Sequence, residues 1–138
     1  MIEILSSVVE EIKTTIGNRP IESGGIIGGE RDTITAFYFD NGEHLSEYIP
    51  NVSFLNSQIK AWHEKDIEFY GIIHSHPSYS PKPSNEDLAY ALKIKEKNPF
   101  LSHIIFPILI KNEKNEPIIF FYELINQKFV EIDVKIIN

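Results

Sequence analysis

Cysteine is absent from the chain, which excludes disulfides, thiolate metal ligands and a cysteine nucleophile. No apolar run reaches the length of a membrane span. The N-terminal stretch Met1-Ile2-Glu3-Ile4-Leu5 lacks the basic region and cleavage site of a secretory signal, so the expected location is the cytoplasm. Positive charge is scarce: 13 Lys and Arg stand against 20 Asp and Glu, for a net charge of −7. Binding a nucleic-acid backbone requires clustered cations. The densest group here, Lys93, Lys95 and Lys97, alternates along an expected helix and reads as a solvated face. Nucleic acid is therefore not an expected partner, and the acidity implies mainly solubility. Repeats, low-complexity tracts and linkers are also missing, so residues 1–138 read as a single domain. A chain of this length buries about two-thirds of its unfolded surface, and an apolar fraction of 42% supplies an ordinary core.

Hydrophobic spacing sets the expected elements. Ile4, Leu5, Val8, Val9, Ile12 and Ile16 predict a helix over residues 2–17, ending near Gly17-Asn18 before Pro20. Residues 24–30 and 33–40 read as two strands joined tightly around Arg31-Asp32. A loop from Gly42 to Asn51 leads to a second helix over 53–66, packing Phe54, Ile59 and Trp62. The apolar run Phe69-Tyr70-Gly71-Ile72-Ile73 predicts a strand continuing into His74, and a helix follows from Ser84 to about Lys97. Three final strands are expected over 102–110, 117–125 and 128–136. In the last, Phe129, Glu131, Asp133 and Lys135 alternate with Val130, Ile132, Val134 and Ile136, the pattern of a half-buried edge strand. The expected fold class is α+β (α/β layered), a mixed β-sheet flanked by helices.

Chemistry concentrates in His74-Ser75-His76-Pro77, followed by Ser84 and Asp87. Alternate residues of a strand share a face, so His74 and His76 can approach one ion at the end of the strand. Pro77 then stops the pairing, and Asp87 is presented by the next element. Two imidazoles and a carboxylate suit Zn2+ with a fourth position open to water. Taken alone, Ser84-Asn85-Glu86-Asp87 is a capping box, with the serine at the helix start and an acid three residues on. A cap does not require two histidines just upstream, and the combination points to a metal. A hydrolytic site also needs a proton carrier, for which Glu22 is the candidate. It stands ahead of Gly24-Gly25-Ile26-Ile27-Gly28-Gly29, where paired glycines permit close backbone approach or a bulge. A lone glutamate in such a place would ordinarily be a solvated charge.

Glu22-x-x-Gly25, Gly71-Ile72-Ile73-His74-Ser75-His76-Pro77 and Ser84-x-x-Asp87 together resemble the JAMM motif of the JAB1/MPN/Mov34 metalloproteases. Both histidines, the serine and the aspartate keep that motif's spacing without gaps, and the likeness runs from Glu22 to at least Asp87. It is nearest in character to the bacterial stand-alone Prok-JAB-like branch, found near ubiquitin-like proteins and E1- or E2-like enzymes. The resemblance implies an MPN/JAB (cytidine-deaminase-like) core in which His74, His76 and Asp87 bind Zn2+. Glu22 would serve as general base and then acid, and Ser84 would hydrogen-bond the oxyanion. The implied activity is that of a zinc metallopeptidase, a JAMM-type isopeptidase hydrolysing amide or isopeptide bonds at the C-terminus of a ubiquitin-like protein. The implied partners are that protein or its conjugates and E1/E2-like enzymes of the same operon. Alternatives within the resemblance are release of an amino acid from a sulfur-carrier protein, and a non-catalytic MPN scaffold, whose members typically lack a ligand that is kept here. Pro81-x-Pro83-Ser84 is similar to the RadC branch, which usually carries an additional N-terminal helical region. Oligomeric state and linkage specificity are not set by the sequence.

Other polar residues read as bystanders. His63-Glu64 opens like a metalloprotease helix, but position 67 is Ile, so the second histidine is missing. His44 and His103 read as isolated. Tyr79, on the loop after the histidines, is a candidate substrate contact.

Overall fold

A computed structural model describes residues 1–18, 22–40, 52–76 and 80–138. Pro20, His44, the Gly42–Asn51 loop, Pro77 and Tyr79 lie outside the described residues, as does the side chain of Phe54. The elements in chain order are β1 (Glu3–Leu5), α1 (Ser6–Thr15), a 3-10 turn (Ile16–Asn18), β2 (Gly24–Glu30), β3 (Thr33–Asp40), α2 (Val52–Glu64), β4 (Glu68–Ser75), α3 (Asn85–Lys97), β5 (Ile108–Lys111), β6 (Pro117–Ile125), β7 (Lys128–Ile132) and β8 (Lys135–Ile137). The eight strands form one sheet in the order β7-β6-β5-β4-β2-β3-β1-β8. It is mixed: β4 pairs β5 and β1 pairs β3 and β8 in parallel, and the other pairs are antiparallel.

The glycine-rich hairpin at the centre follows from its residues. Arg31 and Asp32 both hold positive φ, 51° and 67°, the left-handed pair that matches the twist of a two-residue hairpin. Asn126 and Gln127 repeat the device between β6 and β7. Strands β2 and β4 are covered on both faces, which is why each reads as an unbroken apolar run. Ile27 and Ile73 face Val8, Ile12 and Ile16 of the first helical segment, in a cluster completed by Ile34, Ile105 and Leu109. Their neighbours Ile26 and Ile72 face Leu55 and Trp62 of α2 and Ala91 of α3. A helix thus lies on one face and two on the other. At Gly71 a side chain would collide with the Ile105 carbonyl; only glycine lets the segment before β5 lie against β4 there.

Three boundaries differ from expectation. Residues 3–5 are a strand, not the first turn of a helix, because they pair with both β3 and β8. Residues 102–107 are irregular, with single bridges at Ile105, and β5 begins only at Ile108. The expected strand 128–136 is broken after Ile132. Its first half is one edge of the sheet and its second half the other, and the Lys135 amide donates to the Ile2 carbonyl. Three peptide steps reach at most about 11 Å, so the sheet curls until its two edges nearly meet. Phe129, expected opposite the apolar set, packs at a tilt against Phe106 with ring centroids 5.3 Å apart, while Val130 and Ile136 are exposed.

Candidate metal centre

Strand β4 ends at the site. His74, its penultimate residue, is 7% exposed and pairs with Gly24 at the start of β2. His76 follows two residues on, its amide held by the Leu109 carbonyl. The two imidazoles lie side by side, with ring centroids 4.7 Å apart and planes at 48°. Glu22 enters from the residues leading into β2. One donor atom from each of Glu22, His74 and His76 falls within 4.8 Å of the others, so three ligand-type groups converge on one small volume.

Asp87 joins them through His74, with its Oδ1 3.2 Å from Nε2. Two ligands each about 2.0–2.1 Å from a tetrahedral ion stand about 3.3 Å apart. The spacing therefore suits both the hydrogen bond seen and a shared metal that would displace its proton. Burial alone would raise the Asp87 carboxyl. The hydrogen bond and charge of His74, with the backbone and side chain of Ser84, outweigh it and hold the group below the usual carboxylate value. An ionised carboxylate is the form a cation needs. The His76 Nδ1 lies 3.1 Å from the Ser80 carbonyl. A carbonyl only accepts, so the proton sits on Nδ1 and the Nε2 lone pair is left for a ligand.

The helix start is a capping box in full. Ser84 Oγ accepts from the Asp87 amide at 3.1 Å, and Asp87 Oδ2 accepts from the Ser84 amide at 2.8 Å. The two Asp87 oxygens thus have separate tasks, one toward the cap and one toward His74. Because Ser84 accepts in the cap, its hydroxyl proton points elsewhere. The local reading of these residues as a helix cap is thus observed directly.

Of the five residues singled out from the sequence, Glu22, His74 and His76 converge in one group; Asp87 lies outside that group and meets it through His74, and Ser84 is bonded to Asp87 in the helix cap. It also corrects one reading: His103 is not isolated. Its Nδ1 lies 2.6 Å from Glu123 Oε2 and its Nε2 2.6 Å from Asp32 Oδ1, and its ring meets Tyr70 edge-on at 5.2 Å. Burial disfavours the imidazolium, but the bonds and charges of Glu123 and Asp32 raise its pKa above the ordinary value. No local pattern could show this, since its partners are 71 and 20 positions away. Ser75, to which the sequence pattern gave no role, has a buried hydroxyl bonded to Ser23. On the α2–α3 side of the sheet, an apolar cavity of about 720 Å3 opens over Ile26, Phe69 and Ile72. Among the described residues no helix is long and apolar enough to cross a membrane.

The curled mixed sheet flanked by helices, with a Glu/His/His group at the end of its central strand, defines a domain of the JAB/MPN class, a metalloprotease-like family. The chain belongs to the prokaryotic homologs of the JAB domain, whose family model matches residues 6–122. Among solved structures it is similar to a protein from Desulfitobacterium hafniense, with 21% identity, a TM-score of 0.76, and 99% of this chain and 92% of that one covered. A JAB1/MPN domain protein from Archaeoglobus fulgidus matches at 18% identity and a TM-score of 0.58, over 100% and 98% of the two chains. A structure described as "JAMM: A Metalloprotease-like Zinc Site in the Proteasome and Signalosome" gives the same identity and score over 100% and 99%. At these identities the likeness is one of fold. No curated protein matches the sequence.

Proposed function

We propose that this protein is a zinc-dependent peptidase that hydrolyses an amide or isopeptide bond at the C-terminus of a ubiquitin-like protein. The observation that carries the reading is the convergence of Glu22, His74 and His76 within 4.8 Å, with Asp87 3.2 Å from His74. In this reading His74, His76 and Asp87 hold the ion. Bound zinc would act as a Lewis acid on the scissile carbonyl and acidify a water molecule. Glu22 takes the proton from the attacking water and returns it to the departing amine, the work of a general base and then acid. Ser84, whose hydroxyl proton is not used in the helix cap, donates to the carbonyl oxygen as negative charge grows there. The Ser80 carbonyl and the Ser84 amide keep His76 and Asp87 oriented.

The Glu/His/His group favours a second reading, in which Glu22 itself is the third ligand and Asp87 orients His74. Glu22→Gln separates the two: it keeps the metal in the first reading and releases it in the second. We assign the whole of residues 1–138 to this one catalytic domain, working in the cytoplasm with a ubiquitin-like partner and E1/E2-like enzymes. The test is a fusion of a Gly-Gly-terminated ubiquitin-like protein to a reporter, incubated with and without a chelator. Cleavage after the Gly-Gly that stops on chelation and returns with zinc supports the proposal. Chelator-insensitive cleavage, or none with a zinc-loaded protein, refutes it.

A further inference from the structure

Between the two histidines, Ser75 is 8% exposed, and its side chain points to the opposite face of the sheet from theirs. Its backbone amide donates to the Ser23 carbonyl at 2.9 Å. In a regular antiparallel pair the Ser23 amide would return a bond to the Ser75 carbonyl. Here it donates to the Ser75 hydroxyl at 3.0 Å, and that hydroxyl in turn donates to the Ser23 carbonyl at 3.3 Å. The Ser23 amide belongs to the peptide group that joins it to Glu22. One buried hydroxyl therefore ties the chain carrying both imidazoles to the peptide bond of the candidate proton carrier.

We propose that Ser75 is a positioning residue: its hydroxyl fixes the Glu22–Ser23 peptide against the end of β4, and so sets where the Glu22 carboxylate stands relative to His74 and His76. The inference rests on the reading of the site given above. Glu22 precedes β2 and lies beyond its ladder, so strand pairing does not hold it directly. The Ser75 hydroxyl bonds the peptide group that Glu22 shares with Ser23. Removing that bond leaves His74, His76 and Asp87 on their own supports, the β4–β5 ladder and the α3 cap, and takes the side-chain tie from the peptide next to Glu22. A misplacement of about 1 Å costs on the order of 100-fold in rate.

The experiment compares Ser75→Ala, which lacks the hydroxyl, with Ser75→Thr, which keeps it; Ser75→Val serves as the isosteric partner of Thr should the added methyl disturb the fold. Each is loaded with Co2+. Both Ala and Thr variants should bind one ion, since the ligands are untouched. The Ala variant should lose about 10–100-fold in kcat with KM unchanged. Its visible Co2+ spectrum should shift as that of Glu22→Gln does, and its Ser23 amide should exchange faster with solvent. The Thr variant should stay near the parent in all three. Loss in both Ala and Val with retention in Thr supports the role. An Ala variant matching the parent in spectrum, Ser23 exchange and kcat overturns it. An unsubstituted protein that binds no ion refutes the metal reading instead, and Ser23 exchange in the Ala variant still judges the bond.

Discussion

Ser84 stands where a helix cap and a catalytic donor would coincide, and substitution can pull the two apart. Replacing Ser84 by Ala removes the acceptor for the Asp87 amide, a bond of 3.1 Å. Losing such a cap costs about 1 kcal/mol, whereas Gly at the same position costs only a few tenths. In a chain of 138 residues the first is a fall of a few °C in Tm and the second is barely measurable. Both substitutions delete the hydroxyl proton equally. An oxyanion donor is worth about 10²–10³ in kcat, or about 2.7–4 kcal/mol, well above the cap. Thermal melts paired with reporter-fusion cleavage should therefore show Ser84→Ala and Ser84→Gly equally impaired in turnover but separated in Tm. Ser84→Thr, which keeps both roles, should stay close to the parent. Turnover that tracks Tm, with the Gly variant nearly as active as the parent, would refute the donor role and leave Ser84 as a cap only.

Glu22→Gln should keep one metal ion per chain by elemental analysis while turnover drops by about 10²–10⁴. Asp87→Ala should lose the metal and also part of the α3 cap, so both metal content and Tm fall; metal retention would show that the other ligands suffice. The His103 clamp predicts a pH window for stability. The folded pKa of His103 is raised above its ordinary 6.5, so its contribution is complete below that value and fades as pH rises through the raised one. The folded pKa of Asp32 is lowered from 3.8, mainly by its hydrogen bond to His103, so its contribution is present above 3.8 and is lost as pH falls through the lowered value. Melts of His103→Gln across pH should consequently run closest to the parent at alkaline pH and diverge most in between; parallel curves at all pH would show that the clamp does not contribute.

The centre of the fold, the approach of His74 and His76, and the helix cap at Ser84 could be read from the chain because their signals are local. The turn at Arg31-Asp32, the apolar β2 and β4, the histidines two apart at a strand end and the Ser84–Asp87 cap each occupy a few consecutive residues. What was missed depends on contacts between distant segments. Ile4 is buried whether residues 3–5 form a helix turn or a strand, and only pairing with β8, from the far end of the chain, decides it. The alternation over 128–136 continues across a corner where the chain passes from one sheet edge to the other. Pro107 has no amide proton to give to a ladder, and 102–107 pairs only through the bridges at Ile105. His103 draws its partners from the β2–β3 turn and from β6. Ser75 shows its role only once the register sets it opposite Ser23.

The measurement that tests the central claim most directly is the stoichiometry of divalent metal bound by the protein before and after substitution of both His74 and His76 by Ala. The account predicts one zinc per chain in the parent and none in the double variant, with the fold retained by circular dichroism. A parent that binds no metal, or a double variant that still carries one ion per chain, would contradict it.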